Sequence, residues 1–278
     1  MKIKPLVSAT WLFENIENPN LIILDASPKE NKSNLIPKYT DVRIKGARRF
    51  DMETTFLDKK SAIPNMIPSE EIFTKECRAL GINNESIIVV YDNLGIYTSP
   101  RAWWMFRVMG LEKVAVLNGG LDAWVKEGFP VESISEITNS KGNFKASYQP
   151  NLVADSSFLV NNIKQKTHLV IDARSVDRYK GSVPEPRENM ASGHIPNSLN
   201  LHFKNVLDND GKMKSKDELL TIFQQFTIKS QPLIFTCGSG VTASILLLAS
   251  EIALENNKSL YDGSWAEWGQ LGKFPIEN

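Results

Sequence analysis

Short apolar runs alternate along the chain with longer segments in which apolar and polar residues follow helical spacing. The apolar runs have strand length, and they include LIILD (21–25), IIVVYD (87–92), LVID (169–172) and LIFTC (233–237). Helices are predicted where capping residues precede periodic apolar positions, as at Ser69 and Ser215. Strands that alternate with helices predict an α/β fold, in which each sheet is mostly parallel and flanked by helices.

The same pattern occurs twice. Ser8 opens a short helix that leads to a strand ending at Asp25, and Asp155 and Asp172 repeat this arrangement at the same separation of 17 residues. The next landmarks also correspond: they are Asp92 and Cys237 at two strand ends, then Asn118-Gly119-Gly120 with Trp124, and Asp262-Gly263-Ser264 with Trp268. Such spacing predicts two tandem domains, 1–132 and 154–278, joined by a polar linker at 133–153.

Composition and charge exclude several classes of protein. The 278 residues carry 32 basic and 32 acidic side chains, so a general attraction to nucleic acid or to acidic membranes is not expected. No apolar run approaches the roughly 20 residues needed to cross a bilayer. Two cysteines do not make a disulfide framework, and the N-terminus lacks a targeting pattern, so we expect a cytoplasmic protein in a reducing compartment.

The most informative stretch surrounds Cys237. The thiol follows the strand LIFT and precedes a glycine-containing loop and an apolar helix predicted over 243–254. Glycines allow successive backbone N–H groups to turn inward around an anion, and the positive end of the helix favours the same charge. Both effects favour the nucleophilic thiolate. The predicted anion-binding residues are Gly238, Ser239, Gly240, Val241 and Thr242.

Cysteine is commonly a buried, inert residue, and this alternative applies to both thiols. For Cys237 the strand–loop–helix context argues against it. Cys77 shares a predicted helical face with Phe73 and Leu80, so we interpret it as a core residue. The three histidines have no metal-ligand spacing with a cysteine, and neither a metal nor another cofactor is inferred.

The segment CGSGVTA resembles the active-site loop of 3-mercaptopyruvate sulfurtransferases of the rhodanese superfamily. The resemblance covers nearly the whole chain and implies two tandem rhodanese-like domains, of which the first, with Asp92 in place of cysteine, is inactive. It implies that Cys237 carries sulfur as a persulfide, that Ser239 assists catalysis, and that Arg178 and Arg187 bind the substrate carboxylate. Arg174 is interpreted as structural, as is His194 in the GHIPN turn.

The implied reaction transfers sulfur from 3-mercaptopyruvate to cyanide or to a thiol such as thioredoxin or glutathione, with release of pyruvate. Open α/β sheets bind ligands beyond the carboxyl ends of strands, and a cleft between the domains is the expected pocket. Three alternatives remain: a thiosulfate sulfurtransferase, a cysteine phosphatase, and a non-catalytic interaction module. The neutral residues Gly238 and Ser239 disfavour the first, and the absence of a loop-terminal arginine disfavours the second.

Two positions depart from the family pattern. Asn65 stands where relatives usually have histidine before Met-Leu-Pro, and Glu53 stands where they have aspartate. In the family both positions lie near the active site. The first-half motif corresponding to HIPGA reads Arg43-Ile44-Lys45-Gly46-Ala47. These changes leave the implied mechanism intact, and they concern its rate and substrate detail.

Overall fold

The computed structural model describes residues 3–30, 34–135, 140–226 and 230–278, and within these ranges the chain forms two compact units. The first unit takes in residues up to Lys59, Ile67–Gln149 and Asn209–Met213. The second takes in Lys60–Met66, Pro150–Asp208 and Lys214–Asn278. Each unit thus includes a short segment from the other half of the sequence. Of the predicted linker 133–153, residues 136–139 lie outside the described ranges.

The first unit is built on a five-stranded parallel sheet with the order β1-β6-β5-β2-β4. A separate antiparallel pair joins β3 to β7. The elements are β1 (Leu6–Val7), α1 (Ala9–Asn15), β2 (Leu21–Asp25), β3 (Val42–Ile44), β4 (Arg48–Arg49), α2 (Glu70–Ala79), β5 (Ile87–Tyr91), α3 (Ser99–Val108), β6 (Val114–Leu117), α4 (Gly120–Lys126) and β7 (Val131–Ser133).

The second unit is built on a five-stranded parallel sheet with the order β10-β9-β11-β12-β8. Short 3-10 helices occupy Pro150–Leu152 and Phe203–Val206. The other elements are β8 (Val153–Ala154), α5 (Ser156–Gln165), β9 (Leu169–Asp172), α6 (Val176–Tyr179), β10 (Leu199–Asn200), α7 (Lys216–Gln224), β11 (Leu233–Thr236), α8 (Val241–Ala253), β12 (Lys258–Tyr261) and α9 (Ser264–Trp268).

The two sheets have the same strand order, which confirms the predicted repeat. Asp25 ends β2 and Asp172 ends β9, at matching places in the two sheets. Asp92 directly follows β5 and Cys237 directly follows β11, the central strand of each sheet. The predicted α/β architecture with parallel sheets flanked by helices is therefore correct.

Apolar burial explains why these elements form. All four residues of β11 are buried, as expected for a central strand with helices on both faces. In the amphipathic helix α2, Ser69 caps the N-terminus, and Phe73 and Cys77 are fully buried. The core interpretation of Cys77 is thus confirmed, and burial raises the pKa of its thiol well above the usual value.

The boundaries of helix α8 agree with the predicted range 243–254 to within two residues. The capping box predicted at Ser215 is present, since Ser215 and Glu218 each bond to the other's backbone N–H. Helix α8 begins at Val241 rather than at residue 243, because Gly240 has a φ of +78° and serves as its N-cap. Within the described ranges, no helix has the length and apolar character needed to cross a membrane.

Candidate active site

The topology of the second unit brings two loops together beside Cys237. The connection that leaves β9 leads to β10 on one side, whereas the connection that leaves β11 leads through α8 to β12 on the other. Thr236 lies opposite Asp172 in the parallel register, so the two strands end side by side. Ligands of open α/β sheets bind where neighbouring connections diverge in this way.

The backbone from Cys237 to Gly240 is held by donors that orient its carbonyl groups. The backbone N–H of Trp265 donates to the Cys237 carbonyl at 2.9 Å, and that of Ala266 donates to the Gly238 carbonyl at 2.9 Å. The Ser244 hydroxyl donates to the Gly240 carbonyl at 2.9 Å. The carbonyl groups are thus occupied by the flanking helices α9 and α8.

The N–H groups of the same stretch have a different environment. Among the described residues, no protein acceptor receives a hydrogen bond from the amides of Gly238, Ser239, Gly240, Val241 or Thr242. Val241 and Thr242 form the first turn of α8, where amides have no intrahelical partner and the helix dipole is positive. These amides are therefore available to a ligand, and their predicted role in binding an anion stays a prediction.

The nucleophile candidate itself is firmly placed. The N–H of Cys237 donates to Ser264 Oγ at 3.2 Å, and that hydroxyl donates to the Tyr261 carbonyl at 2.8 Å. Ser264 has a φ of +48°, a conformation that brings its side chain back to the end of β11. Cys237 is a free cysteine, and 2% of its surface is exposed.

Two guanidinium groups converge on the first residue after the cysteine. A methyl group placed on Gly238 would lie 3.2 Å from Arg178 Nη2 and 3.7 Å from Arg187 Nη1. Arg187 Nη1 also donates to the Gly238 carbonyl at 3.4 Å. Burial and the nearby charge of Arg178 lower the pKa of Arg187, while Cys237 and Glu185 oppose the shift. A glycine at 238 therefore leaves room for two cations beside Cys237.

Arg178 lies in the short helix α6, and Arg187 lies in the segment that follows it. Glu185 lies between them in sequence and was not identified from the sequence. Its carboxylate accepts hydrogen bonds from Arg178 and, at 2.9 Å, from Arg174. The sequence shows Glu185 only as an acidic residue in the polar segment PEPRE. Acidic residues are common in such loops, so the sequence did not indicate its role.

Arg174 has the structural role that was expected. It is fully buried, pairs with Asp172 at 2.7 Å and lies 4.1 Å above the Trp265 ring. The backbone N–H of Trp265 donates to the Cys237 carbonyl. The packing of Arg174 on the Trp265 ring therefore helps to fix the position of Cys237. His194 is also structural, since its ring stacks on Tyr179 at 3.9 Å and its Nδ1 lies 2.9 Å from the Tyr179 carbonyl.

The corresponding strand end of the first unit contains a carboxylate. Asp92 is fully buried and accepts hydrogen bonds from the backbone N–H groups of Leu94, Tyr97, Thr98 and Ser99 and from the Ser99 hydroxyl. The last of these residues begins α3. Burial raises the pKa of this carboxyl, while the hydrogen bonds lower it. The first unit therefore holds a hydrogen-bonded carboxyl group at the place where the second unit has Cys237.

Comparisons with known proteins agree with this arrangement. The family described as the rhodanese-like domain matches residues 8–127 and 156–271. The chain belongs to the rhodanese family. Among relatives of this family, the 3-mercaptopyruvate sulfurtransferase of Escherichia coli K12 is 37% identical over 98% of this chain and 97% of its own. The thiosulfate sulfurtransferase of Cricetulus griseus is 41% identical over 95% of this chain and 92% of its own.

A solved rhodanese structure shows the same fold. The crystal structure of SseA from E. coli, described as a 3-mercaptopyruvate sulfotransferase with the rhodanese fold, superimposes with a TM-score of 0.81 at 36% identity. The match covers 95% of this chain and all of the SseA chain. Two rhodanese-like domains, the first with Asp92 and the second with Cys237, therefore account for the repeat seen in the sequence.

Proposed function

We propose that the protein is a sulfurtransferase that takes sulfur from 3-mercaptopyruvate through a persulfide on Cys237. One observation carries the proposal: a thiol at a strand end is followed by loop amides without a protein acceptor among the described residues, and two guanidinium groups meet at Gly238, the next residue. The N–H groups suit an anionic sulfur, and arginine suits the carboxylate of the donor.

The first step is a nucleophilic attack on sulfur. The Cys237 thiolate forms an S–S bond with the donor sulfur while the donor C–S bond breaks, and the bonding electron pair leaves with carbon as the enolate of pyruvate. Arg178 and Arg187 hold the carboxylate, and the Ser239 hydroxyl donates a hydrogen bond to the enolate oxygen. The enolate then takes a proton from solvent, and pyruvate leaves.

In the second step an acceptor takes the outer sulfur. A thiolate or cyanide attacks that sulfur, the S–S bond breaks, and Cys237 returns as a thiolate in the same set of N–H groups. This is covalent catalysis with two half-reactions, so ping-pong kinetics are expected. We propose a thiol of the reducing cytoplasm, such as thioredoxin or glutathione, as the acceptor.

Thiosulfate is the competing donor. The named relatives include enzymes for both donors at 37% and 41% identity, so overall similarity does not separate them. The loop argues for the mercapto acid. Thiosulfate is a compact dianion that would benefit from cationic side chains in the loop itself, whereas Gly238 and Ser239 are neutral. Arg178 and Arg187 beside the loop have planar guanidinium groups, which suit a planar carboxylate.

The test is a single turnover with donor alone. Mixing the protein with 3-mercaptopyruvate should release one equivalent of pyruvate and add the mass of one sulfur atom, which dithiothreitol removes. Cys237→Ser should abolish both signals. Cys77→Ser should leave them unchanged, because Cys77 lies in helix α2 of the first unit and burial raises the pKa of its thiol well above the usual value. No pyruvate and no added sulfur from the wild type would refute the proposal.

A further inference from the structure

Asn65 belongs to the segment Lys60–Met66, which comes from the first half of the sequence but is part of the second unit. Its side-chain nitrogen lies 3.0 Å from Ser239 Oγ and 3.5 Å from the Ser239 carbonyl oxygen. A carbonyl oxygen only accepts hydrogen bonds, so the NH2 end of the amide must face Ser239. Asn65 has a φ of +62°, a left-handed conformation that asparagine adopts more readily than most residues.

This contact fixes the polarity of the Ser239 hydroxyl. A hydroxyl has one proton and two acceptor lone pairs, and here a lone pair receives the Asn65 N–H. The proton must therefore point to another acceptor. Among the described residues, no protein group accepts a hydrogen bond from Ser239 Oγ. The proton is thus available to a substrate oxygen beside Cys237.

We propose that Asn65 is a positioning residue that holds Ser239 as a hydrogen-bond donor to the substrate oxygen that becomes the enolate oxygen. This inference rests on the proposed sulfur transfer. An amide does not titrate in the physiological range, so Asn65 donates to Ser239 at every working pH. An imidazole at the same place would change between donor and acceptor with its protonation state and tautomer.

Two substitutions separate hydrogen-bond donation from shape. Asn65→Asp keeps the size and tolerates the left-handed backbone, but its carboxylate accepts the Ser239 proton and repels the Ser239 carbonyl. Asn65→Gly removes the side chain without backbone strain. We expect the rate of pyruvate release in a single turnover to fall about tenfold in Asn65→Gly, with donor affinity little changed. The rate of pyruvate release should fall further in Asn65→Asp. It should recover partly as the pH is lowered towards the pKa of the new carboxyl, because the protonated carboxyl can donate a hydrogen bond to Ser239.

The control is Asn197, which is exposed, lies in the same unit and also has a φ of +62°. Asn197→Gly and Asn197→Asp should leave the rate of pyruvate release unchanged. In a Ser239→Ala background, Asn65→Gly should have no further effect, because the hydroxyl that it positions is absent. A persistent effect would place the role of Asn65 in the backbone carbonyl contact and overturn the inference.

The outcomes distinguish this inference from the proposed function. If the wild type releases pyruvate and gains sulfur, but Asn65→Asp releases pyruvate at the wild-type rate, hydrogen-bond donation by the Asn65 amide does not matter. The inference is then wrong, while the proposed function stands. If wild type neither releases pyruvate nor gains sulfur, the function itself is wrong.

Discussion

Glu185 accepts a hydrogen bond from Arg178 at each of its two carboxylate oxygens. The Glu185 side chain is 1% exposed and also pairs with the buried Arg174, so one carboxylate connects the scaffold of the second unit to a guanidinium beside Cys237. Arg178 retains 25% exposure. The orientation of this substrate-binding candidate is therefore set from the protein side, which leaves its other edge for a ligand.

Replacing Glu185 should affect both stability and donor binding. Glu185→Gln removes the negative charge shared by Arg174 and Arg178, and Arg174 keeps its hydrogen bonds to the Asp172 carboxylate and the Gly193 carbonyl. Breaking a buried ion pair typically costs about 3–5 kcal/mol in the free energy of unfolding. We expect a loss of stability near the lower end of this range in urea denaturation, because Arg174 keeps the Asp172 carboxylate as an ion-pair partner. The KM for 3-mercaptopyruvate should rise, because Arg178 is held less firmly. Glu188→Gln, an exposed change in the same loop, should alter neither quantity. Equal effects of the two changes would contradict this assignment.

Arg187 should discriminate between sulfur donors. Arg187→Ala removes a charged hydrogen-bond donor to the carboxylate, and we expect kcat/KM for 3-mercaptopyruvate to fall about 10- to 100-fold. The value for thiosulfate should fall far less, since thiosulfate has no carboxylate. Lys180→Ala removes an exposed cation from the same region and should change neither donor. Parallel losses for both donors in Arg187→Ala would remove Arg187 from the carboxylate site.

Asp92 should be a stability determinant of the first unit. Asp92→Ala leaves four backbone N–H groups and the Ser99 hydroxyl without their acceptor, so the free energy of unfolding should fall by about 3 kcal/mol or more. Formate, a small carboxylate, should recover part of the loss as its concentration rises. Asp210→Ala, an exposed change in the same unit, should stay within about 0.5 kcal/mol of wild type and show no response to formate. Asp92→Ala with wild-type stability would show that these hydrogen bonds contribute little.

The sequence predicted those features that local pattern determines. The ends of β9 and β11 followed from apolar runs, the cap at Ser215 followed from its motif, and the repeat followed from the spacing of Asp25 and Asp172. Cys237 could be identified because the residues that surround it also follow it in sequence. These features depend on neighbours within a few residues, and such information is visible in a single chain.

Other features depend on folding across long separations. Asn65 meets Ser239 from 174 residues away, and the sequence pattern indicated only that its position differs from relatives. Glu185 joins Arg174 and Arg178 because an irregular segment folds back onto α6. The early start of α8 depended on the left-handed conformation of Gly240, which composition alone does not specify.

Because the first half has Asp92 where the second half has Cys237, only the second half changes covalently during the proposed turnover. The first half keeps the same carboxyl group at this position throughout, because a carboxyl cannot take up transferable sulfur; burial raises the pKa of this Asp92 carboxyl, and the hydrogen bonds from Ser99, Tyr97 and Leu94 oppose that shift. Under the proposed cycle, the second half alternates between one sulfur and two at the matching position. Heat stability measured before and after sulfur loading should therefore change in the second half alone, which makes one member of the pair an internal reference for the other.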